Sequence, residues 1–296
     1  MTTTTTTENY YVPDSSPWPL TASFGLFFSA VGGANYIQQV TNDNIESSIW
    51  GGPLLAFGLL WLLTVITLWW RDAIKESVSG LHSKQMDVSY RQGMLWFIFS
   101  EVTFFGALFG ALFYTRWLVV PWLGGEGTGT MTHEMLWPEF QAIWPVTVAP
   151  DGTTAAVMGA WGLPAINTAI LIASSITLSI AHHALLEDNR SKVVLYQAIT
   201  VVLGAIFLSL QMYEYVVAYD MGLTFDAGIY GSLFFMLTGF HGIHVTIGTI
   251  FLLITLIRYA KGHFNSEHNF AWEAGAWYWH FVDVVWLFLF VVVYWL

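Results

Sequence analysis

Five ionisable side chains interrupt long apolar stretches of this sequence. They are Glu101, His241, His244, His280 and Asp283. His241 and His244 are three residues apart, as are His280 and Asp283, so each of these two pairs shares one face of a helix. Burying such groups in hydrocarbon is costly unless they pair with one another or with the backbone. The spacing therefore predicts one internal polar layer formed by all five side chains.

Imidazole and carboxylate groups bind iron, zinc and copper, so a metal site is one candidate use of this layer. A di-iron membrane oxygenase would show several HxxxH and HxxHH boxes, and the histidines here fall short in number and spacing. The candidates are His182, His183, His241, His244, His263 and His268. The residues therefore predict no bound metal, and hydrogen bonding between helices is the favoured role of the polar groups in the last two apolar stretches.

Glu101 lies well inside its apolar run, about eight residues or about 12 Å at the helical rise of 1.5 Å per residue. Three roles are open for such a carboxyl group. It could bind a proton, hydrogen-bond a lipid headgroup drawn into the helix bundle, or anchor the packing of helices. The sequence does not choose among them.

The composition is that of a polytopic membrane protein. Apolar residues make up 55% of the chain, charged residues make up 10%, and the mean hydropathy is +0.57. A soluble domain would not carry so apolar a surface. The chain has no cysteine, which excludes disulfides, thiolate metal ligands and cysteine nucleophiles.

Seven windows of about 20 apolar residues, the length that crosses a bilayer as a helix, predict an all-α integral membrane protein with seven transmembrane helices. The windows are 20–38, 49–70, 93–118, 160–183, 194–219, 229–258 and 274–295. The predicted organisation is a disordered N-terminal tail (1–15), helices 1 and 2 (16–70), a cytoplasmic loop (71–92), and helices 3 to 7 (93–296) with a long outer loop at about 119–159.

Lysine and arginine residues collect on one side of the seven predicted spans. Those after helices 2, 4 and 6 are Arg71, Lys75, Lys84, Arg91, Arg190, Lys192, Arg258 and Lys261, whereas Arg116 lies toward the other side. Because basic residues favour cytoplasmic loops, this distribution predicts a cytoplasmic N-terminus and a C-terminus outside. The outer side is mostly acidic, and its acids could steer a basic soluble partner or simply be solvated.

Basic and aromatic residues at the inner side suggest contact with lipid. Trp70 and Arg71, at the inner end of helix 2, predict an interfacial anchor. Arg71, Lys75, His82 and Arg258 could form a site for anionic headgroups, or they could attract the leaflet without specificity.

Two further features have structural interpretations. Glu214 stands between two tyrosines near the outer end of helix 5 and is predicted to reach the membrane interface. Gly106 and Gly110 are small residues four apart in helix 3, and they predict close packing against a neighbouring helix.

Several strings in this chain closely resemble subunit III of the aa3-type cytochrome c oxidases, in order and from about residue 15 onward. The strings are Ser16-Pro-Trp-Pro-Leu20, Trp69-Trp-Arg-Asp72, Phe99-Ser-Glu-Val102, Ala181-His-His183, Tyr230-Gly-Ser-Leu-Phe-Phe235, Thr238-Gly-Phe-His-Gly-Ile-His-Val245 and Glu273-Ala-Gly-Ala-Trp-Tyr-Trp-His-Phe-Val-Asp-Val-Val-Trp-Leu-Phe288. The last string is too long to match by chance.

The resemblance implies an integral subunit of a haem-copper oxidase, a respiratory translocase that reduces oxygen to water and pumps protons. Haem a, haem a3 and copper would lie in subunits I and II, and this chain would bind no cofactor of its own. The first two helices and the remaining five would form two groups around a V-shaped cleft that holds ordered phospholipid. Cytochrome c would be a partner through the complex, and nucleic acid would not.

Carried onto matching positions, the resemblance implies roles for five residues. Glu101 is similar to the family's membrane carboxylate beside the lipid cleft, and Trp70, Arg71, His82 and Arg258 are similar to positions that contact lipid headgroups. The implied function is supportive. It maintains proton uptake into the catalytic subunit and protects that subunit against inactivation during turnover, and the lipid-filled cleft could guide oxygen.

Two features depart from the family pattern. The segment before helix 6 reads Asp226-Ala-Gly-Ile-Tyr230 where many relatives read Asp-Gly-Val-Tyr-Gly, so a role for Asp226 does not carry over. The outer loop is longer than in mitochondrial relatives. This length predicts a bacterial enzyme of the cytoplasmic (inner) membrane, with an added contact to cytochrome c or to another respiratory complex.

Two other functions remain open from the sequence. A quinol oxidase would have a similar third subunit, although such subunits often lack the first two helices. A proton-coupled transporter or a ligand-binding seven-helix protein would work alone, without a haem-containing partner.

Overall fold

The computed structural model describes residues 11–12, 15–41, 50–266 and 268–296. Across these ranges, seven helices are long and apolar enough to cross a membrane, so the predicted all-α, seven-span fold is confirmed. They are α1 (Trp18–Thr41), α2 (Gly51–Val78), α3 (Lys84–Tyr114), α4 (Leu163–Leu186), α5 (Arg190–Asp220), α6 (Ile229–Ala260) and α7 (Phe270–Leu289). Most of the predicted tail over residues 1–15 lies outside the described residues.

Several helices continue beyond their apolar windows. Because α2 reaches Val78 and α3 begins at Lys84, the loop predicted over 71–92 is reduced to the connection 79–83. An apolar window measures the length of chain in hydrocarbon, whereas backbone hydrogen bonds can continue through the headgroup region. An ion pair of 3.0 Å between Asp72 and Lys75, three residues apart, supports the extension of α2.

The outer connection between α3 and α4 is partly helical. From α3 the chain passes through a π-helical turn, Thr115–Val119, and one further turn, Val120–Leu123. A short helix follows at Thr130–Leu136, and the carbonyl oxygen of Leu123 accepts hydrogen bonds from His133 and Trp137, both at 3.0 Å. Residues 137–162 are irregular apart from an isolated bridge, beside which the backbone N–H groups of Ala149 and Ala155 donate to the carbonyl oxygens of Thr153 and Thr147, both at 2.8 Å.

The chain divides into two compact units, residues 1–90 and 91–296. In the first unit, α1 and α2 pack through buried glycines that recur every seven residues, Gly25 and Gly32 in α1 and Gly51 and Gly58 in α2. A Cβ atom at Gly32 or at Gly58 would overlap the backbone of the opposite helix. Small residues thus let the two backbones approach closely, which is how membrane helices gain van der Waals contact.

In the second unit, three fully buried tryptophans recur every seven residues along α7. Each donates its indole N–H to a polar side chain of α4 or α5. The bonds run from Trp272 to Gln197, from Trp279 to Ser174 and from Trp286 to Thr168, at 2.8, 3.0 and 2.9 Å. We call this series the tryptophan ladder. It fixes the rotation of α7 against the two helices that accept its hydrogen bonds.

Two glycines make room for the middle rung of the tryptophan ladder. A Cβ atom at Gly204 of α5 would lie 2.6 Å from the Trp279 ring, and one at Gly248 of α6 would lie 3.0 Å from it. The indole of Trp279 therefore occupies a slot that only glycine leaves open on both sides.

The close packing predicted at Gly106 and Gly110 is not found. Both residues are exposed, and a Cβ atom at either would meet no described atom within 4 Å. α3 instead directs Phe105 and Leu112 into the core. The prediction was wrong because a four-residue spacing of small residues identifies a helix face but not the face that is buried.

The adjacent glycines of α1 provide a matched test of the first unit. We expect Gly32→Ala to lower the free energy of unfolding by about 1–3 kcal/mol, because the added methyl group must displace the α2 backbone. Gly33→Ala should be nearly neutral, because its Cβ would lie 3.8 Å from Leu55, an ordinary contact. Unfolding of the purified protein in a detergent titration would measure both. Equal losses for the two variants would contradict the close approach of α1 and α2.

Candidate functional site

Glu101 and His244 form a hydrogen-bonded pair between α3 and α6. Oε2 of Glu101 lies 2.9 Å from Nε2 of His244, and Nδ1 of His244 lies 2.7 Å from the carbonyl oxygen of Phe240. The Glu101 side chain keeps 21% of its surface exposed and the His244 side chain 11%. The carboxyl group is therefore held in place by α6 and can still be reached from outside the unit.

The geometry of this pair defines where its protons lie. A carbonyl oxygen only accepts, so Nδ1 of His244 carries a proton and Nε2 faces the carboxyl group of Glu101. The bond between Nε2 and Oε2 then needs one proton, either on the carboxyl group in a neutral pair or on the imidazole in an ion pair. In both cases the pair holds an exchangeable proton among the rings of Phe104, Phe105 and Tyr278.

His280 and Asp283 of α7 face α4. Nδ1 of His280 lies 2.7 Å from Oγ of Ser175. Asp283 is 7% exposed, and neither of its carboxylate oxygens has a hydrogen-bond partner among the described residues. The two residues predicted to share a helix face therefore line the same boundary between α4 and α7.

His241 is fully buried and forms its hydrogen bond with neither of these two sites. Its Nε2 donates to the carbonyl oxygen of Val282 at 3.2 Å, and its ring centroid lies 5.0 Å from that of Trp286. The structure thus distributes the five residues of the predicted polar layer over three places within the second unit. No hydrogen bond joins these places among the residues that the structure describes.

Within ranges 11–12, 15–41, 50–266 and 268–296, no three His, Asp or Glu side chains are grouped closely enough to hold a metal ion. His182 and His183, two of the histidines named as candidate metal ligands, lie near the end of α4 with their ring centroids 6.4 Å apart.

The residues predicted to contact lipid headgroups occur in both units. Trp70 and Arg71 are exposed on α2, and the ring of His82 meets that of Tyr90 edge to face at 5.2 Å. These belong to the first unit. Arg258 belongs to the second, where it is 8% exposed and its guanidinium carbon lies 4.3 Å from the ring centroid of Phe264.

The sequence context predicted that Glu214 reaches the membrane interface, but its side chain is fully buried against other helices of the second unit. Its carboxyl group lies beside the side chains of Gln211 and Tyr294. The sequence carried a signal for this burial that was missed. The buried residues of α5 recur at alternating steps of three and four, and they are Val193, Gln197, Thr200, Gly204, Phe207, Gln211, Glu214 and Ala218.

A charged cluster at the beginning of α7 was also missed. The Arg91 guanidinium pairs with the Glu273 carboxylate, and Nε2 of His182 lies 3.6 Å from the second oxygen of that carboxylate. Arg91 also stacks over Phe270 and Trp277, 5.7 and 5.9 Å from their ring centroids. No local spacing could have revealed the pair, because Arg91 and Glu273 are 182 residues apart.

Asp226 lies in the outer turn between α5 and α6. The hydroxyl group of Thr224 donates to its carboxylate at 2.6 Å, and this hydrogen bond lowers the pKa of Asp226 below its ordinary value. The carboxylate is exposed, so this local bond accounts for Asp226 as a turn-stabilising residue.

Comparison with known proteins covers nearly the whole chain. The family described as cytochrome c oxidase subunit III matches residues 8–296, which include all seven spans. Proteins named cytochrome c oxidase subunit 3 from Prototheca wickerhamii and Marchantia polymorpha are each 43% identical to this chain, and the one from Formosania lacustris is 41% identical. The alignments cover 96–97% of this chain and 96% of each relative.

A double-mutant cycle would test whether Glu101 and His244 act as one unit. We expect Glu101→Gln and His244→Gln to be non-additive in unfolding free energy by about 1 kcal/mol, because each variant alone already breaks the shared-proton bond. Thr246→Ala is the control partner, since Thr246 is exposed on α6 and bonds within its own helix. Additive losses for the Glu101 and His244 variants would show that the pair does not couple α3 to α6.

Proposed function

Because this chain belongs to the cytochrome c oxidase subunit III family, we propose that it assembles with oxidase subunits I and II into a proton-pumping respiratory complex that reduces oxygen to water. The observation that carries this proposal is the match over residues 8–296, in which no span is left outside the family pattern. Membership implies a role in the oxidase complex.

The proposed contribution is support of the catalytic subunit rather than electron transfer. Haem a, haem a3 and copper would be held by subunits I and II, where they would transfer electrons to oxygen. In this chain, the residues available at membrane depth are suited to proton handling and helix packing. The Glu101–His244 pair, with one exchangeable proton and a partly exposed carboxyl group, is the strongest support for a role in maintaining proton uptake.

Phospholipid is the proposed structural ligand of this subunit. The proposed lipid would lie next to Glu101, whose side chain keeps 21% of its surface exposed. Trp70 and Arg71 are exposed in the C-terminal third of α2, where an indole and a guanidinium can bind a headgroup. His82 and Arg258 are also proposed to contact lipid headgroups. The ring of His82 is positioned by its contact with Tyr90, and the guanidinium of Arg258 by its contact with Phe264. Such lipid would protect the complex during turnover and provide an apolar route for oxygen.

The chain is a multi-pass membrane protein, and its orientation and membrane are part of the proposal. The excess of Lys and Arg around the connections from α2 to α3, from α4 to α5 and from α6 to α7 supports a cytoplasmic N-terminus and a C-terminus outside. The bacterial cytoplasmic (inner) membrane is the proposed location, based on the long connection between α3 and α4. The acids of that connection would face cytochrome c or another respiratory complex.

Glu101→Ala is the variant that tests the proposed role of the membrane carboxyl group. We expect the oxidase to assemble with a near-normal initial rate and to lose activity faster during turnover than the parent enzyme. Oxygen uptake followed until inactivation would measure the lifetime. Glu187→Ala removes an exposed carboxyl group from the connection between α4 and α5 and is the control. Equal lifetimes for Glu101→Ala and the parent would remove Glu101 from this role.

Purification from native membranes would test the proposed complex directly. We expect the tagged chain, extracted in mild detergent, to carry a haem a signal in a reduced-minus-oxidised spectrum and to consume oxygen with reduced cytochrome c. Uptake with quinol but not with cytochrome c would instead identify a quinol oxidase. A haem-free, solitary protein would overturn the oxidase assignment.

A further inference from the structure

A cavity of about 260 Å³ opens between α4 and α7 in the second unit. Its polar floor consists of Ser175, His280 and Asp283. The other lining residues are apolar, and they are Leu171, Ile172, Ile176, Val284, Trp286 and Leu287. The cavity thus combines a small polar floor with an apolar mouth.

The polar floor leaves the carboxylate of Asp283 short of hydrogen-bond donors. Asp283 is 7% exposed, and both of its carboxylate oxygens are without a partner among the described residues. The hydroxyl of Ser175 is bonded to Nδ1 of His280 at 2.7 Å. If that hydroxyl donates to His280, it has no second proton for Asp283. If it accepts from His280 and turns its proton to Asp283, one carboxylate oxygen still has no donor.

The position of the cavity makes this deficit costly. Ser175 is near the middle of the 24-residue helix α4, and Asp283 is near the middle of the span Phe270–Trp295. The positions of these residues in α4 and α7 therefore place the carboxyl group of Asp283 near mid-membrane, away from water and headgroups. Lipid tails bring no hydrogen-bond donor, and acidic groups within spans typically face protein or a polar cavity.

The rim and size of the cavity indicate what could fill it. Ile172 and Ile176 are exposed one turn apart on α4, and Val284 and Leu287 are exposed about one turn apart on α7. These two apolar ridges border a groove into which the ridge of another helix can pack. The volume is below the roughly 300–1,000 Å³ typical of small-molecule pockets, so one large side chain fits better than a whole ligand.

We propose that this cavity is a docking site for a transmembrane helix of another oxidase subunit, which inserts a hydrogen-bond-donating side chain to satisfy Asp283. The identity of the partner rests on the function proposed above. The chemistry rests on this chain alone: the apolar rim gives van der Waals contact with the incoming helix, and the carboxyl group selects a donor such as an amide, a hydroxyl, an indole or a cationic group. The site would thereby specify which helix binds and at what height.

Photocrosslinking in the intact complex tests the site without disturbing its polar floor. Val284 would be replaced by benzoylphenylalanine, and Val216, exposed on α5, would be replaced in the same way as a control. We expect the probe at position 284 to attach to a mid-membrane segment of another subunit of the oxidase, at a point that carries a donor side chain. Attachment only to lipid or detergent, or to a second copy of this chain, would overturn the proposal.

Variants of Asp283 provide the second measurement. We expect Asp283→Leu to raise the rate at which this chain dissociates from the detergent-solubilised oxidase by about three- to tenfold, the effect of losing one interhelical hydrogen bond. Asp283→Asn keeps an acceptor of the same shape and should change the rate less. The crosslink from position 284 should weaken in Asp283→Leu, while any crosslink from position 216 should not.

These experiments separate the failure of the site from the failure of the proposed function. If the parent chain co-purifies with haem-containing subunits but dissociates at the same rate in Asp283→Leu, the docking site is wrong and the oxidase assignment stands. If the parent chain does not co-purify with any haem-containing subunit, the proposed function itself is wrong.

Discussion

The hydrogen bonds of the tryptophan ladder are the constraint on which the second unit depends. Within a bilayer the hydrophobic effect does not drive helices together, because lipid tails are as apolar as the side chains. The association of helices must therefore depend on complementary shape and on hydrogen bonds between polar groups. The ladder supplies both, since each indole fills a large volume and also requires an acceptor. Gln197 shows how complete this arrangement is: its oxygen accepts from Trp272, and its nitrogen donates to Thr255 and to the carbonyl of Leu252.

The ladder also determines where the ionisable groups of α7 point. Asp283 lies four residues after Trp279 and three before Trp286, so it is on nearly the same face of α7 as these tryptophans and lies at the boundary with α4. His241 has a different role, because it donates to the backbone of α7 and packs on Trp286. Of the five ionisable residues, Glu101 and His244 are the two that join α3 to α6 by a bond between side chains. A polar residue in a span thus acquires its role from the helix rotation that larger neighbours impose.

The sequence was sufficient to predict the number and type of the spans, because hydropathy over a window follows directly from composition. It was weaker on helix ends, since α2 and α3 continue where apolar residues stop. It failed where the answer depended on rotation: Gly106 and Gly110 face outward, and Glu214 faces inward. The spacing of polar and small residues in α5 contained the correct answer for Glu214. The Arg91–Glu273 ion pair could not be predicted from the sequence, because it depends on how distant parts of the chain fold together.

The tryptophan ladder also bears on the order in which this membrane protein is made. α4 and α5 precede α7 in the chain and therefore leave the ribosome earlier. Until α7 is inserted, the acceptors Thr168, Ser174 and Gln197 lack their indole donors, and the slot formed by Gly204 and Gly248 is empty. The helices made first would thus wait in the bilayer as a loosely joined group. Closure of the bundle would coincide with the arrival of α7, and this interval is when insertion factors and membrane proteases have most access to the nascent protein.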